Sequence, residues 1–173
     1  MSDNFITDFI DRKLAQPSQA APPAQKDLAK GLIAGLIAGV VATAAKTAAE
    51  KFYPPRTHGE SKPPEVLAEK IAGHELAAFP KTVAAESIHW TFGAAAGAAY
   101  GVLAEFYPAA TAREGANFGL TLMALTHEGA LPALGLSAQA ANQTNREKSS
   151  EMVSHVVFGL VTETVRRFVR HRL

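Results

Sequence analysis

The chain has 173 residues, 47% of them apolar, and a formal net charge of +1. That length fits one domain, and the balanced charge predicts neither a nucleic-acid-binding face nor an acidic tail. Cysteine is absent, which excludes disulfides, thiolate-held iron–sulfur clusters, cysteine nucleophiles and the usual structural zinc sites, and leaves His and carboxylate to hold any metal.

The N-terminus, "MSDNFITDFIDRKLAQ", lacks the basic-then-apolar layout of a secretory signal, so no cleaved leader is expected. Phe5, Ile6, Phe9, Ile10 and Leu14 recur at helical spacing opposite Asp8, Asp11, Arg12 and Lys13. This pattern predicts an amphipathic helix suited to a membrane surface. The Pro/Ala/Gln stretch "QPSQAAPPAQ" reads as a linker, making 1–29 an arm and 30–173 the main domain.

Four apolar segments follow, at 30–55, 83–108, 114–136 and 149–169. Between the first two, the Pro63–Pro64 start and Gly73 stop predict a short loop helix over about 63–73, with Val66, Leu67 and Ile71 on its buried side. Lys46, Glu128 and Glu163 interrupt three of the segments, so hydropathy alone leaves a soluble Ala-rich bundle open. Glycine spacing favours the membrane. Gly31, Gly35 and Gly39 recur every four residues, as do Gly93, Gly97 and Gly101, with Gly115 and Gly119 as a shorter pair. In a soluble helix each such glycine costs about 1 kcal/mol against alanine, whereas in lipid the spacing gives a flat face for close helix packing. The expected fold is all-α: a polytopic membrane protein with four transmembrane helices, plus the amphipathic N-terminal helix. Ladders on this scale also predict a homo-oligomer or a subunit of a larger membrane complex. Basic residues before the first segment and after the fourth place both termini in the cytoplasm.

Several of these stretches resemble a known family. "GLIAGVVATAAKTAAEKFYPPR", "HWTFGAAAGAAYGVLAEFYP", "REGANFGLTLMALTHEGALPALGL" and "SEMVSHVVFGLVTETVRRFVR" together are similar to the YagU-like family of bacterial inner-membrane proteins, from about Gly31 to Arg170. The residue types at His89, His127, His155, Glu105, Glu151 and Arg166–Arg167 agree with that family's pattern. The resemblance implies a four-span protein of the bacterial inner membrane and implies no reaction.

With alternating spans and about 1.5 Å per residue, Lys46, His89, His127 and His155 all fall roughly 9 to 13 Å below the outer surface. Four helices thus deliver one basic side chain each to one polar layer. Glu86 precedes His89 by three residues and Glu151 precedes His155 by four, so each pair shares a helix face. Glu128 adjoins His127, and Pro132 is expected to free the carbonyl of Glu128. "SIHWTFG" and "VSHVVFG" share His-x-x-Phe-Gly at matching depth, which suggests two pseudo-symmetric two-helix units.

The layer admits four uses. One is inter-helix hydrogen bonding, and another is a response to external acidity through histidine protonation. A third is ligation of haem or a divalent metal by His89, His127 and His155 with Glu86 and Glu151. The fourth is a substrate path. Glu105 and Glu163 read as inner-surface salt bridges with Arg113, Arg166 or Arg167. No motif carries an enzyme's signature, so the expected function is that of a non-enzymatic membrane protein whose polar site responds to external acidity, with a haem- or metal-binding subunit or a structural accessory subunit of a larger complex as the alternatives.

Overall fold

The computed structural model describes residues 25–56 and 60–173, the side chain of Ala140 aside. The predicted amphipathic arm and most of its linker lie outside the described residues. Among these residues the fold is all-α, with five helices and no strand.

Helix α1 (Leu28–Phe52) starts where the Asp27 side chain accepts the Lys30 N–H at 3.0 Å, a standard N-cap. It ends at Tyr53, before Pro54–Pro55, because proline cannot continue the ladder. Helix α2 (Pro63–Ala72) opens on two prolines, and Glu65 accepts the Lys62 N–H at 3.0 Å. Gly73 stops it at φ +74°, the left-handed turn that glycine adopts most cheaply. Helix α3 (Ala78–Phe106) ends before Pro108.

The third predicted span starts two residues late. Over Pro108–Gly115 the chain reverses, with Arg113, Glu114 and Gly115 at φ +53°, +55° and +85°. Two non-glycine residues in that region carry strain of about 1–2 kcal/mol each, and a 2.6 Å ion pair from Glu114 to Arg167 fastens the turn. Helix α4 (Ala116–Met123) then runs into a π-helical stretch (Ala124–Ala130) and a last turn (Leu131–Ala133). Helix α5 (Asn145–Arg170) is capped by Thr144, which accepts the Glu147 N–H at 3.1 Å.

Helix α1 is central, with α3 along one side and α5 along another; α4 packs on α5, and α2 lies on α3. Missing side chains allow these approaches. Gly31, Gly35 and Gly39 face Gly101, Gly97 and Gly93, and a Cβ on Gly35 would strike the Gly97 carbonyl and the Gly101 backbone. A second seam joins Gly115 and Gly119 to Gly159 and the His155 carbonyl. Helix α2 docks through Pro63 and Ala68, whereas Ile71, expected on its buried side, is 73% exposed; a small residue brings the short helix closer than isoleucine would.

The burial pattern is inverted. On α1, Ala34, Ala38 and Ala42 are fully buried with the glycines, while Leu32, Ile33, Leu36, Ile37, Val40 and Val41 point outward. On α5 the buried face carries Ser150, Glu151, Ser154, His155, Thr162, Glu163 and Arg166; Met152, Val153, Leu160 and Phe168 are exposed. Soluble domains bury the large aliphatic residues and almost never fully bury unpaired charges. Among the described residues one helix, α1, is long and apolar enough by itself to cross a membrane. Seven of the polar residues that lower the apolarity of α5, from Ser150 to Arg166, face the bundle interior, whereas Arg146 and Arg167 near its ends are exposed.

Candidate functional site

The α1, α4 and α5 helices bring their polar side chains together at the end of the bundle that carries Tyr53–Arg56 and the loop 134–144. Glu151 of α5 is the centre, only 3% exposed. His127 Nε2 lies 3.4 Å from Glu151 Oε2, Lys46 Nζ lies 3.6 Å from the same oxygen, and His155 Nδ1 lies 3.8 Å from it. Arg56, from the loop after α1, places Nη1 3.6 Å from Oε1. Yet among the described residues Glu151 Oε2 is a buried side-chain oxygen without a hydrogen bond. The neighbouring cations have their own partners. Lys46 donates to Glu50, and Arg56 Nη2 donates to Glu147 at 3.2 Å.

The two imidazoles stand edge to face, ring centroids 4.9 Å apart. His155 Nδ1 sits 2.8 Å from the Glu151 carbonyl oxygen. A carbonyl only accepts, so Nδ1 carries the proton and Nε2 the lone pair. His127 stands in the π-helical stretch, a feature frequent at functional sites. Its cause is local: Leu131 N–H bonds to the Thr126 carbonyl, five residues back. In that register Pro132, which has no N–H, vacates the carbonyl of His127, not the expected Glu128, and Gln143 Nε2 reaches it at 3.4 Å.

The remaining predicted members stand apart. His89 is half-buried, with Nε2 3.2 Å from Thr47 Oγ1 on α1. Glu86 is exposed and accepts the Trp90 indole N–H at 3.1 Å. Glu128 is exposed and lines a separate surface depression with Pro132 and Gln139. The structure therefore joins His127, His155, Glu151 and Lys46, and leaves His89, Glu86 and Glu128 outside. Three participants lacked a sequence signal: Arg56 and Glu147 sit in turn-rich stretches, and Glu50 reads as an ordinary helix-end charge. A cavity of about 400 Å³ opens above the cluster, lined by Arg56, Ser61, Ser137, Arg146 and Glu147 among others.

At the opposite end a second charge network is complete. Glu163 accepts from Arg166 Nε at 2.7 Å, Arg166 Nη2 at 2.8 Å, Arg167 Nε at 2.8 Å and the Tyr100 hydroxyl at 2.8 Å. Tyr100 in turn stacks on Phe118 of α4 at 4.3 Å. Glu105 pairs with Arg170, at 2.9 Å to Nε, and accepts the Asp27 N–H at 2.8 Å; Arg170 was not among its expected partners.

A family model described as a protein of unknown function (DUF1440) matches residues 40–164. The match lies within the stretch that resembles YagU-like proteins, and it spans the whole Glu151 cluster. No curated protein and no solved structure matches the chain.

Proposed function

The chain belongs to the DUF1440 family, and we propose that it is an integral inner-membrane protein of four spans that holds a buried polar site in its outer half. One observation carries the reading: the inverted bundle, whose interior is mostly Gly, Ala, Ser, Thr, His and Glu beside Tyr100 and Phe158, while Leu32, Ile33, Leu36, Ile37, Val40, Val41, Val153 and Leu160 face outward. Lipid is the solvent in which that arrangement costs least, because the bilayer accepts the aliphatic belt and the interior satisfies the polar groups. Helices α3 and α5, of 29 and 26 residues, exceed the ~20 needed to span. The α4 stretches of 8, 7 and 3 residues together reach about 27 Å at 1.5 Å per residue, close to the ~30 Å hydrocarbon thickness. Lys26, Lys30, Arg166, Arg167, Arg170 and Arg172 gather at the Glu163 end, which favours that end for the cytoplasm. The glycine ladders close on one another within the chain, so a second copy is not needed to cover them.

Among the uses open to the polar layer, ligand holding is better supported than acid sensing. Around Glu151 Oε2 three nitrogens stand at 3.4, 3.6 and 3.8 Å without forming a hydrogen bond. Donors arranged for a resting proton network would approach to about 2.7–3.2 Å. A haem between His127 and His155 has no room, because the two rings touch edge to face.

The absence of cysteine makes the topology directly testable. Single cysteines at Ala138 and at Leu173 should divide: the first labelled by a membrane-impermeant maleimide in intact spheroplasts, the second only after lysis. Labelling of both in intact cells, or recovery of the chain in the soluble fraction, overturns the reading.

A further inference from the structure

We propose that His127, Glu151 and His155 form a binding site for one divalent transition-metal ion of the Zn²⁺ class. This deepens the reading of the Glu151 cluster as a ligand-holding site and does not depend on the membrane topology.

The three donors stand close enough together to converge on one ion. One nitrogen from each imidazole and one Glu151 oxygen lie within 4.8 Å of one another. Zinc bonds of about 2.0–2.1 Å at a tetrahedral angle hold two donors about 3.4 Å apart, the separation observed between Glu151 Oε2 and His127 Nε2. That oxygen is buried with its residue 97% shielded (3% exposed) and has no hydrogen bond. Such an orphan costs about 1–3 kcal/mol or more for a charged group, and a cation would relieve it. The His155 Nδ1–H bond to the Glu151 carbonyl is the outer-shell contact that orients metal-ligating imidazoles and keeps the other nitrogen unprotonated.

Charge balance agrees. Lys46 and Arg56 supply two positive charges and Glu50, Glu147 and Glu151 three negative ones. Lys46 is engaged by Glu50 and Arg56 by Glu147, so Glu151 is the surplus carboxylate. The donor set selects the metal class: two imidazoles and one carboxylate suit Zn²⁺, Fe²⁺ or Co²⁺, whereas Ca²⁺ and Mg²⁺ require mostly oxygen ligands. Three protein ligands also leave a coordination position open. Arg56 contacts both Glu151 and the cavity above, so an ion entering from that side passes its guanidinium.

The test uses the full chain in detergent, stripped with chelator and titrated with Zn²⁺ by calorimetry and with Co²⁺ by visible absorption. The expected result is one ion per chain. His127→Gln, His155→Gln and Glu151→Gln should each weaken binding at least about 10–100-fold, the loss typical even of outer-shell changes, while His89→Gln leaves it unchanged. Circular dichroism checks folding, and the two histidine variants stand in if Glu151→Gln does not fold. No stoichiometric uptake by folded wild-type protein, or undiminished uptake by the folded variants, overturns the proposal. Uptake with a failed maleimide topology keeps the metal site and removes the four-span reading; the reverse result removes the metal alone.

Discussion

Helix α5 buries two glutamates twelve residues apart in sequence, about 18 Å along the axis, and the surroundings treat them in opposite ways. Glu163, 1% exposed, receives four hydrogen bonds between 2.7 and 2.8 Å from two arginines and a tyrosine. Glu151, 3% exposed, is ringed by nitrogens from Lys46, Arg56, His127 and His155 at 3.4 to 3.8 Å and keeps one oxygen orphaned. A saturated buried charge is a fastening: it locks α5 to α3 through Tyr100. An under-coordinated one is, on the reading proposed above, a place where a bound ion would supply the missing partner. On that reading the difference separates a structural end of the bundle from a ligand-holding one.

The comparison breaks most easily at Glu163. Removing one partner of a buried, hydrogen-bonded ion pair costs about 3–5 kcal/mol, since Glu163→Gln leaves Arg166 charged and buried. Glu151→Gln in metal-free protein should cost about 1 kcal/mol or less, because the orphaned oxygen has no hydrogen bond to lose and Lys46 and Arg56 keep Glu50 and Glu147. Thermal unfolding of both variants in detergent measures the gap. Equal losses would mean that the two glutamates do the same structural work.

The glycine seam tests whether the bundle around both glutamates is closed. A Cβ at Gly97 would run into the Gly39 and Gly35 backbone, so Gly97→Ala should destabilise by about 1–3 kcal/mol. Gly129 in the π-helical stretch has only the Ala124 carbonyl nearby, at 3.4 Å; Gly129→Ala should be neutral or stabilising by up to about 1 kcal/mol. The same unfolding assay reads both, and a harmless Gly97→Ala would mean that α1 and α3 do not meet through their glycines.

Much of this frame was legible in the residues. The Pro63–Pro64 start and the Gly73 stop bound their helix, and the four-residue glycine spacing marked the faces on which α1 and α3 meet. Helical rise put Lys46, His89, His127 and His155 in one layer, and three of these four meet at Glu151. Rise does not give rotation, which is why Glu86 was grouped with His89 although it turns outward to Trp90. The π-helical stretch shifts the register by one residue, and so moved the freed carbonyl from Glu128 to His127. Arg56, in the loop after α1, and Glu147, in the first turn of α5, are 91 residues apart and meet only because that loop folds over the start of α5. Loop paths of that kind leave no periodic trace.

The smallest expected effect lies outside the bundle, where α2 is clasped to α3. Glu69 accepts from Lys81 Nζ at 2.7 Å and from the Leu76 N–H at 3.1 Å. The Lys81 hydrogen bond, then that of Leu76, hold its carboxyl below the ordinary 4.5 against the opposing effect of burial. A carboxylate with a lowered folded value stabilises the clasp fully above its unfolded value. That contribution disappears as the pH falls from about 4.5 through the lowered one. The protection of the Leu76 amide, its exchange taken relative to the intrinsic rate at each pH, should therefore fall on acidification through that window, with the protection of the Gly97 region unaffected. Glu69→Gln should show the lowered protection already at neutral pH and lose the acid step. An acid step of equal size in Glu69→Gln would trace it to another group, and the Glu151 end, which also faces that side of the bundle, would be the next place to look.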